Sequence, residues 1–309
     1  MIRKPGILPL IVFAALGGIS AFAAVQSASP DTVYVNVTVT GPKKAAVPGL
    51  KAENFQLFED GVEQKITAFS GRDGVWDFNI ILASSQLLPG RADRISAAIR
   101  DAVEAFKNSG NPANKIKIEE LKFGSDGLYA AIDANLVELQ RSTNPRRALI
   151  IITDGFDRPY NNGGAVSDVS NHVGGDPANV LVDYSKRLSI PIYFFYTLRD
   201  VVDSSGNSIV GRSSVASLNN SELSDKEALT NVAEQTGGHL NTVDPLHQLE
   251  AQCKILAEEF RNKYVLGFKS TNDKKDDKWR GLKLKLVPPA GQKLDFSMKK
   301  KYFVSKPLK

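Results

Sequence analysis

The chain has 309 residues, 42% hydrophobic and 24% charged, which excludes disorder, collagen and coiled coil as its dominant class. Lys and Arg exceed Asp and Glu by five, but Arg3, Lys4 and a Lys-rich C-terminus account for the excess. No basic stripe interleaved with aromatics runs mid-chain, so nucleic acid is not an expected partner. Cys253 is the single cysteine, which rules out intramolecular disulfides, thiolate zinc sites and two-cysteine redox chemistry.

Residues 1–25 join a basic start to an uncharged apolar run and the small-residue exit Ala21-Phe22-Ala23. That layout predicts a signal peptide over 1–23, cleaved after Ala23. An uncleaved membrane anchor is the competing reading, since Pro5 to Val25 carries no charge. Either way the folded part is expected to be periplasmic, secreted or at the cell surface, held by core packing without disulfides.

Thr32–Thr40 alternates strictly and is rich in β-branched residues, so a half-buried strand is predicted there. Phe55–Phe58 and Lys65–Phe69 flank Glu59-Asp60-Gly61, a hairpin signal, making 31–71 a small antiparallel segment. From Phe78 the texture changes to apolar strands alternating with helices. Strands are predicted at 78–82, 148–153, 190–196 and 240–243, and helices at 92–106, 128–139, 177–188, 224–236 and 246–263. Ser224 and Glu227 form a capping box and Gly237-Gly238 a stop. Apolar strands alternating with helices imply a doubly wound, mostly parallel sheet covered on both faces. Beyond residue 263 the pattern returns to β, at 264–268, 282–287 and 302–304. The α/β body, 75–262, is therefore framed by β segments, and 263–305 is expected to pair with 31–71.

Ligand sites in such sheets lie at the carboxyl ends of the strands. Three segments reach that edge: Ala83-Ser84-Ser85-Gln86-Leu87, Gly124-Ser125-Asp126-Gly127 and Thr153-Asp154-Gly155-Phe156-Asp157. No Gly-rich dinucleotide fingerprint, phosphate loop or nucleophile elbow is present. His172, His239 and His247 fall in a loop, at a strand start and at a helix start, and none is marked as part of a triad. Residues 158–176 and 199–221 read as surface loops, 272–278 as a solvated hairpin tip and Lys299–Lys301 as a solvated strand entry.

Leu-Tyr-x-Ala-Ile at 128–132, Ile-Ile-Thr-Asp-Gly at 151–155 and Thr-Gly-Gly at 236–238 resemble a von Willebrand factor type A domain. The flanks, Val-x-Val-x-Val-Thr at 35–40, Gly-Leu-Lys-Ala-Glu-Asn-Phe at 49–55, Glu-Asp-Gly-Val-Glu-Gln-Lys-Ile at 59–66 and Phe260–Phe268, resemble a bacterial, mainly acidobacterial, group of exported proteins with a type-A-related domain. The likeness covers nearly the whole chain after the signal segment. It implies a metal-ion-dependent adhesion site, where an Asp-x-Ser-x-Ser turn, a Thr and a further Asp hold Mg²⁺ or a similar hard cation.

This chain departs from that pattern. Ala83 stands where the first Asp is expected, Leu87 where the second Ser is, and Asp126 where the Thr is. Ser85, Asp126 and Asp154 remain as candidate metal ligands of a weak or lost site. Ser85 and Asp154 are equally suited to capping helix N-termini. Only one strand fits between Phe106 and Gly124, where the family places two, so a smaller sheet and a divergent member are expected. The resemblance implies an exported, non-enzymatic protein–protein interaction protein with no cofactor beyond a weakly held divalent cation. Its partner would meet the loops at 84–90, 124–127 and 155–176. A metal-assisted hydrolase using Asp126, Asp154 and Asp157, or a structural envelope component, are the alternatives.

Overall fold

Two periodicities divide the chain, alternation by two at its ends and apolar runs between helices in its middle, and each builds its own layer. The computed structural model describes residues 32–83, 92–121, 127–154, 190–197, 201–202, 208–210, 220–243, 246–287, 289 and 293–306. The signal segment, Ser85, Leu87, Asp126, Asp157, His172, the loop at 158–176 and the helix expected at 177–188 lie outside the described residues.

The N-terminal strands are β1 (Thr32–Thr40), β2 (Phe55–Glu59), β3 (Val62–Gln64) and β4 (Ile66–Ser70). The α/β body follows as β5 (Asp77–Ala83), α1 (Ala92–Ser109), β6 (Lys115–Glu120), α2 (Leu128–Gln140), β7 (Arg147–Thr153), β8 (Ile192–Thr197), β9 (Val201–Val202) and β10 (Ser208–Val210). It continues through α3 (Asn220–Thr236), β11 (Leu240–Val243) and α4 (Leu249–Asn262). The chain closes with β12 (Lys263–Lys269), β13 (Lys278–Leu286), β14 (Asp295–Met298) and β15 (Lys301–Val304).

The body holds a five-stranded parallel sheet in the order β11-β8-β7-β5-β6. Alternate residues of its strands serve two separate cores. Phe78, Ile80, Leu82, Ile150, Ile152 and Phe195 pack beneath α1 and α4, with Trp76 and Phe260 in an aromatic cluster. Ile81, Ala83, Leu149, Ile151, Phe194 and Tyr196 pack beneath α2 and α3. The architecture is α/β and doubly wound. β6 is an edge strand, as its Lys-Ile-Lys-Ile-Glu-Glu pattern requires. The helix α3 ends in a Schellman motif: Gly238 N–H donates to Ala233 O at 2.9 Å and Gly237 N–H to Glu234 O at 3.3 Å, with Gly237 at φ 90°.

The terminal strands form two four-stranded antiparallel sheets, β14-β1-β12-β4 and β15-β13-β2-β3. Val35, Val37 and Val39 of β1 share one apolar core with Leu266 and Phe268 of β12, Leu57 of β2 and Leu282 of β13. The N- and C-terminal segments thus interleave: β12 pairs with β1 and β4, and β13 with β2. Within the second sheet Glu59, buried, accepts from Tyr302 Oη at 2.7 Å, with Arg280 Nε at 3.8 Å, and it also accepts from Ser270 Oγ, just past β12, at 2.5 Å.

Several expectations need correction. The hairpin partner of β2 is β3, turned through Asp60 and Gly61, both at positive φ; residues 66–70 cross instead to the other sheet, where they pair with β12. The span 272–278 is not a hairpin tip, because it connects strands of different sheets and folds back through an Arg280–Asp276 pair at 2.9 Å. Helix α3 begins at Asn220, four residues before the capping box, since no Gly or Pro interrupts 220–224. Where a loop was expected, β9 and β10 form a two-stranded ribbon. The chain at 246–263 is a 3₁₀ turn followed by α4, and Lys263 already belongs to a strand. Lys299 is half-buried against the Gly237 turn, and burial pulls its ammonium down to about 8.

Candidate functional site

Chain order fixes where the sheet opens. From β5 the chain moves outward to β6 on one side, then returns across β5 to β7, β8 and β11 on the other. The switch point therefore lies between β5 and β7, and the crevice of such folds forms at their carboxyl ends. Ala83 and Thr153 are register partners there, and Asp154 follows directly. Ala83 is 2% exposed and belongs to the apolar cluster under α2; Asp154 is also buried. Thr197 of β8 donates from Oγ1 to Thr153 O at 3.3 Å. Of the candidate ligands only Asp154 is among the described residues, so its convergence with Ser85 and Asp126 is not described. Among the described residues no three His, Cys, Asp or Glu side chains gather as a metal site. No helix among them is long and apolar enough to cross a membrane.

The opposite, amino edge of the sheet carries a polar network, and the β sandwich sits on it. Arg146, 2% exposed, ties both points where the chain crosses between sandwich and body. Its Nε donates to Ser70 Oγ at 2.9 Å, and its Nη2 to Ser70 O and Lys263 O, each at 3.1 Å, and to Gly71 O. The guanidinium lies 5.3 Å from the Trp76 ring, a cation–π contact. Burial pulls its pKa down to about 10, with Asp73 opposing. Arg147 turns the other way and caps α2, its Nη1 donating to the carbonyls of Leu139, Gln140 and Ser142 at 3.2, 3.1 and 2.9 Å.

Asp77, at the start of β5, accepts from Ser142 Oγ at 2.5 Å and Asn144 Nδ2 at 3.0 Å. Nearby, His239 stands edge-on to the Tyr193 ring, centroids 5.0 Å apart, with Nε2 4.0 Å from Glu259. Burial lowers the His239 pKa, against the pull of Glu259. Lys263, 6% exposed, pairs with Glu259 and lies over the Tyr193 and Phe260 rings.

Sequence reasoning missed this junction entirely. Its residues come from positions as far apart as 70, 146 and 263, and no local spacing brings them together.

No family model matches the chain, and no curated protein is matched either. Among solved structures the chain is similar to a von Willebrand factor type A protein from Catenulispora acidiphila. The two share 7% identity at a TM-score of 0.37, over 90% of this chain and 74% of that one.

Proposed function

We propose that this chain is an exported, non-enzymatic, type-A-like protein whose protein partner docks at the carboxyl edge of the parallel sheet, in the periplasm or at the cell surface. The position of Ala83 supports this reading most. At the switch point, level with Thr153, a buried methyl group packed under α2 stands where a cation site of the resembled kind needs a carboxylate. Ser85, Asp126 and Asp154 then hold Mg²⁺ at millimolar levels or not at all, and recognition falls to the loops at 84–90, 124–127 and 155–176. The amino edge is covered by the chain's own sandwich, which leaves the carboxyl edge to an incoming protein.

A ligand that binds only the folded state raises its melting temperature in proportion to RT ln(1 + [L]/Kd), so ~1 mM Mg²⁺ leaves the unmodified chain unmoved. The pair Ala83→Asp with Leu87→Ser puts a carboxylate into an apolar cluster and lowers the melting temperature in EDTA; Mg²⁺ then recovers it. A Mg²⁺-dependent rise in the unmodified chain, abolished by Asp154→Ala, overturns the degenerate-site reading. Pull-down from envelope extract enriches a stable partner if the chain is a binder, whereas turnover on a hydrolase panel makes it an enzyme. Mass spectrometry finds the mature N-terminus at Ala24, and intact Met1-containing protein in membranes contradicts cleavage.

A further inference from the structure

Between the sandwich and the amino edge of the parallel sheet lies a cleft of about 540 Å³, the size of a small-molecule site. Ala68, Phe69, Val75 and Val265 line it with apolar surface, and Tyr34, Lys115 and Arg146 with donors. We infer that this cleft binds a small organic carboxylate, an acid group on an apolar body, with the acid set against Lys115 and Tyr34, in the field of the Arg146 guanidinium beneath, and the body against Phe69 and Val75.

The charges around the cleft favour an anion. Asp77, the one acid lining it, already accepts from Ser142 and Asn144 and faces the Arg147 guanidinium, whose charge it favours. Asp73, the acid nearest Arg146, is bound to Arg261 at 2.8 Å. Lys115 and Arg146 are left without a carboxylate of their own. Arg146 Nη1 is buried and has no acceptor among the described residues, and neither has Trp76 Nε1 beside it. The Tyr34 hydroxyl and the Lys115 ammonium also make no hydrogen bond to a described residue.

Two features select the rest of the ligand. A bare inorganic anion would meet the cationic side but leave the Phe69 and Val75 wall wet. A neutral amide would meet the wall and the donors but leave two positive charges uncompensated. An acid on an apolar body satisfies both. A second groove of about 260 Å³ shares Asp77, Lys115 and Ser142 with the cleft and runs along β6, giving room for a longer body. The cleft lies at the opposite edge from the surface proposed for the protein partner, so the two tests are independent.

Phenylacetate titrated into the full chain by calorimetry binds saturably, phenylacetamide binds at least about tenfold more weakly, and inorganic phosphate shows no saturation. Lys115 is exposed, so Lys115→Gln leaves the melting temperature in place while weakening phenylacetate about fivefold; Tyr34→Phe weakens it about two- to threefold. Equal binding of acid and amide, unchanged affinity in Lys115→Gln, or no saturable binding of either phenylacetate or 4-methylpentanoate up to about 20 mM overturns the inference.

Discussion

At the amino edge of the parallel sheet Asp77, Asn144, Arg146 and Arg147 each hold two or more hydrogen bonds inside the chain. At the carboxyl edge the described strand ends bring Ala83 into the apolar cluster under α2 and include a 3.3 Å bond from Thr197 Oγ1 to Thr153 O. The difference follows from what each edge has to hold. The amino edge receives a second folded unit and must fix it in one position, which demands directional bonds in a desolvated setting. The carboxyl edge is where folds of this kind form their crevice.

The comparison breaks first at Arg146. Arg146→Ala removes a buried cation that serves Ser70, Gly71 and Lys263, and is expected to cost about 3–5 kcal/mol in denaturant unfolding. A loss below about 1 kcal/mol would mean that the sandwich does not depend on this clamp. Gly74→Ala approaches the same side chain, because a Cβ there would lie 2.3 Å from Arg146 Nε; overpacking of that kind costs about 1–3 kcal/mol. At the carboxyl edge Thr197→Val removes one long hydrogen bond and is expected to cost only about 0.5–1.5 kcal/mol. An equal loss at the two edges would erase the contrast between them.

The smallest effect is on pH dependence. Burial lowers the His239 pKa in the folded chain below its ordinary 6.5, so the unfolded chain takes up the proton first. Stability is therefore complete above the unfolded value and falls as pH drops from there through the folded value. His239→Gln flattens that part of the stability profile, and an unchanged acid slope in the variant assigns the titration to another group.

Regular alternation made β1 legible to the residue, and apolar runs and helical spacing gave the order β5, α1, β6, α2, β7, β8, α3, β11 and α4 among the described residues, though not β9 and β10. The split between β3 and β4 was not legible. Lys65–Phe69 reads as the hairpin partner of Phe55–Phe58, and the strand that draws it away, β12, lies about 200 residues on. β14 is four residues long and mostly exposed on its sheet's edge, too short for a period to register. Of the candidate metal site only Asp154 was legible as a strand-end acid, through the Ile-Ile-Thr-Asp-Gly run. The junction cleft left no trace, because Tyr34, Lys115, Arg146 and Val265 become neighbours only after two separate sheets have formed.

Thr38 and Lys263, in contact through β1 and β12, are 225 positions apart in the chain. Closing a flexible loop of that length costs on the order of 5 kcal/mol before any strand pair forms. A folded α/β body changes that sum, since it delivers residues 77 and 262 to the same edge and leaves only short segments to be joined. The body thus acts as a splint for the sandwich. β1 and β4 find their strand partners only in the C-terminal segment, so an assembly that starts from the middle of the chain has the least loop to close. A defect in the body, even one far from the sandwich, would be felt there as a failure of the first-made strands to find their partners.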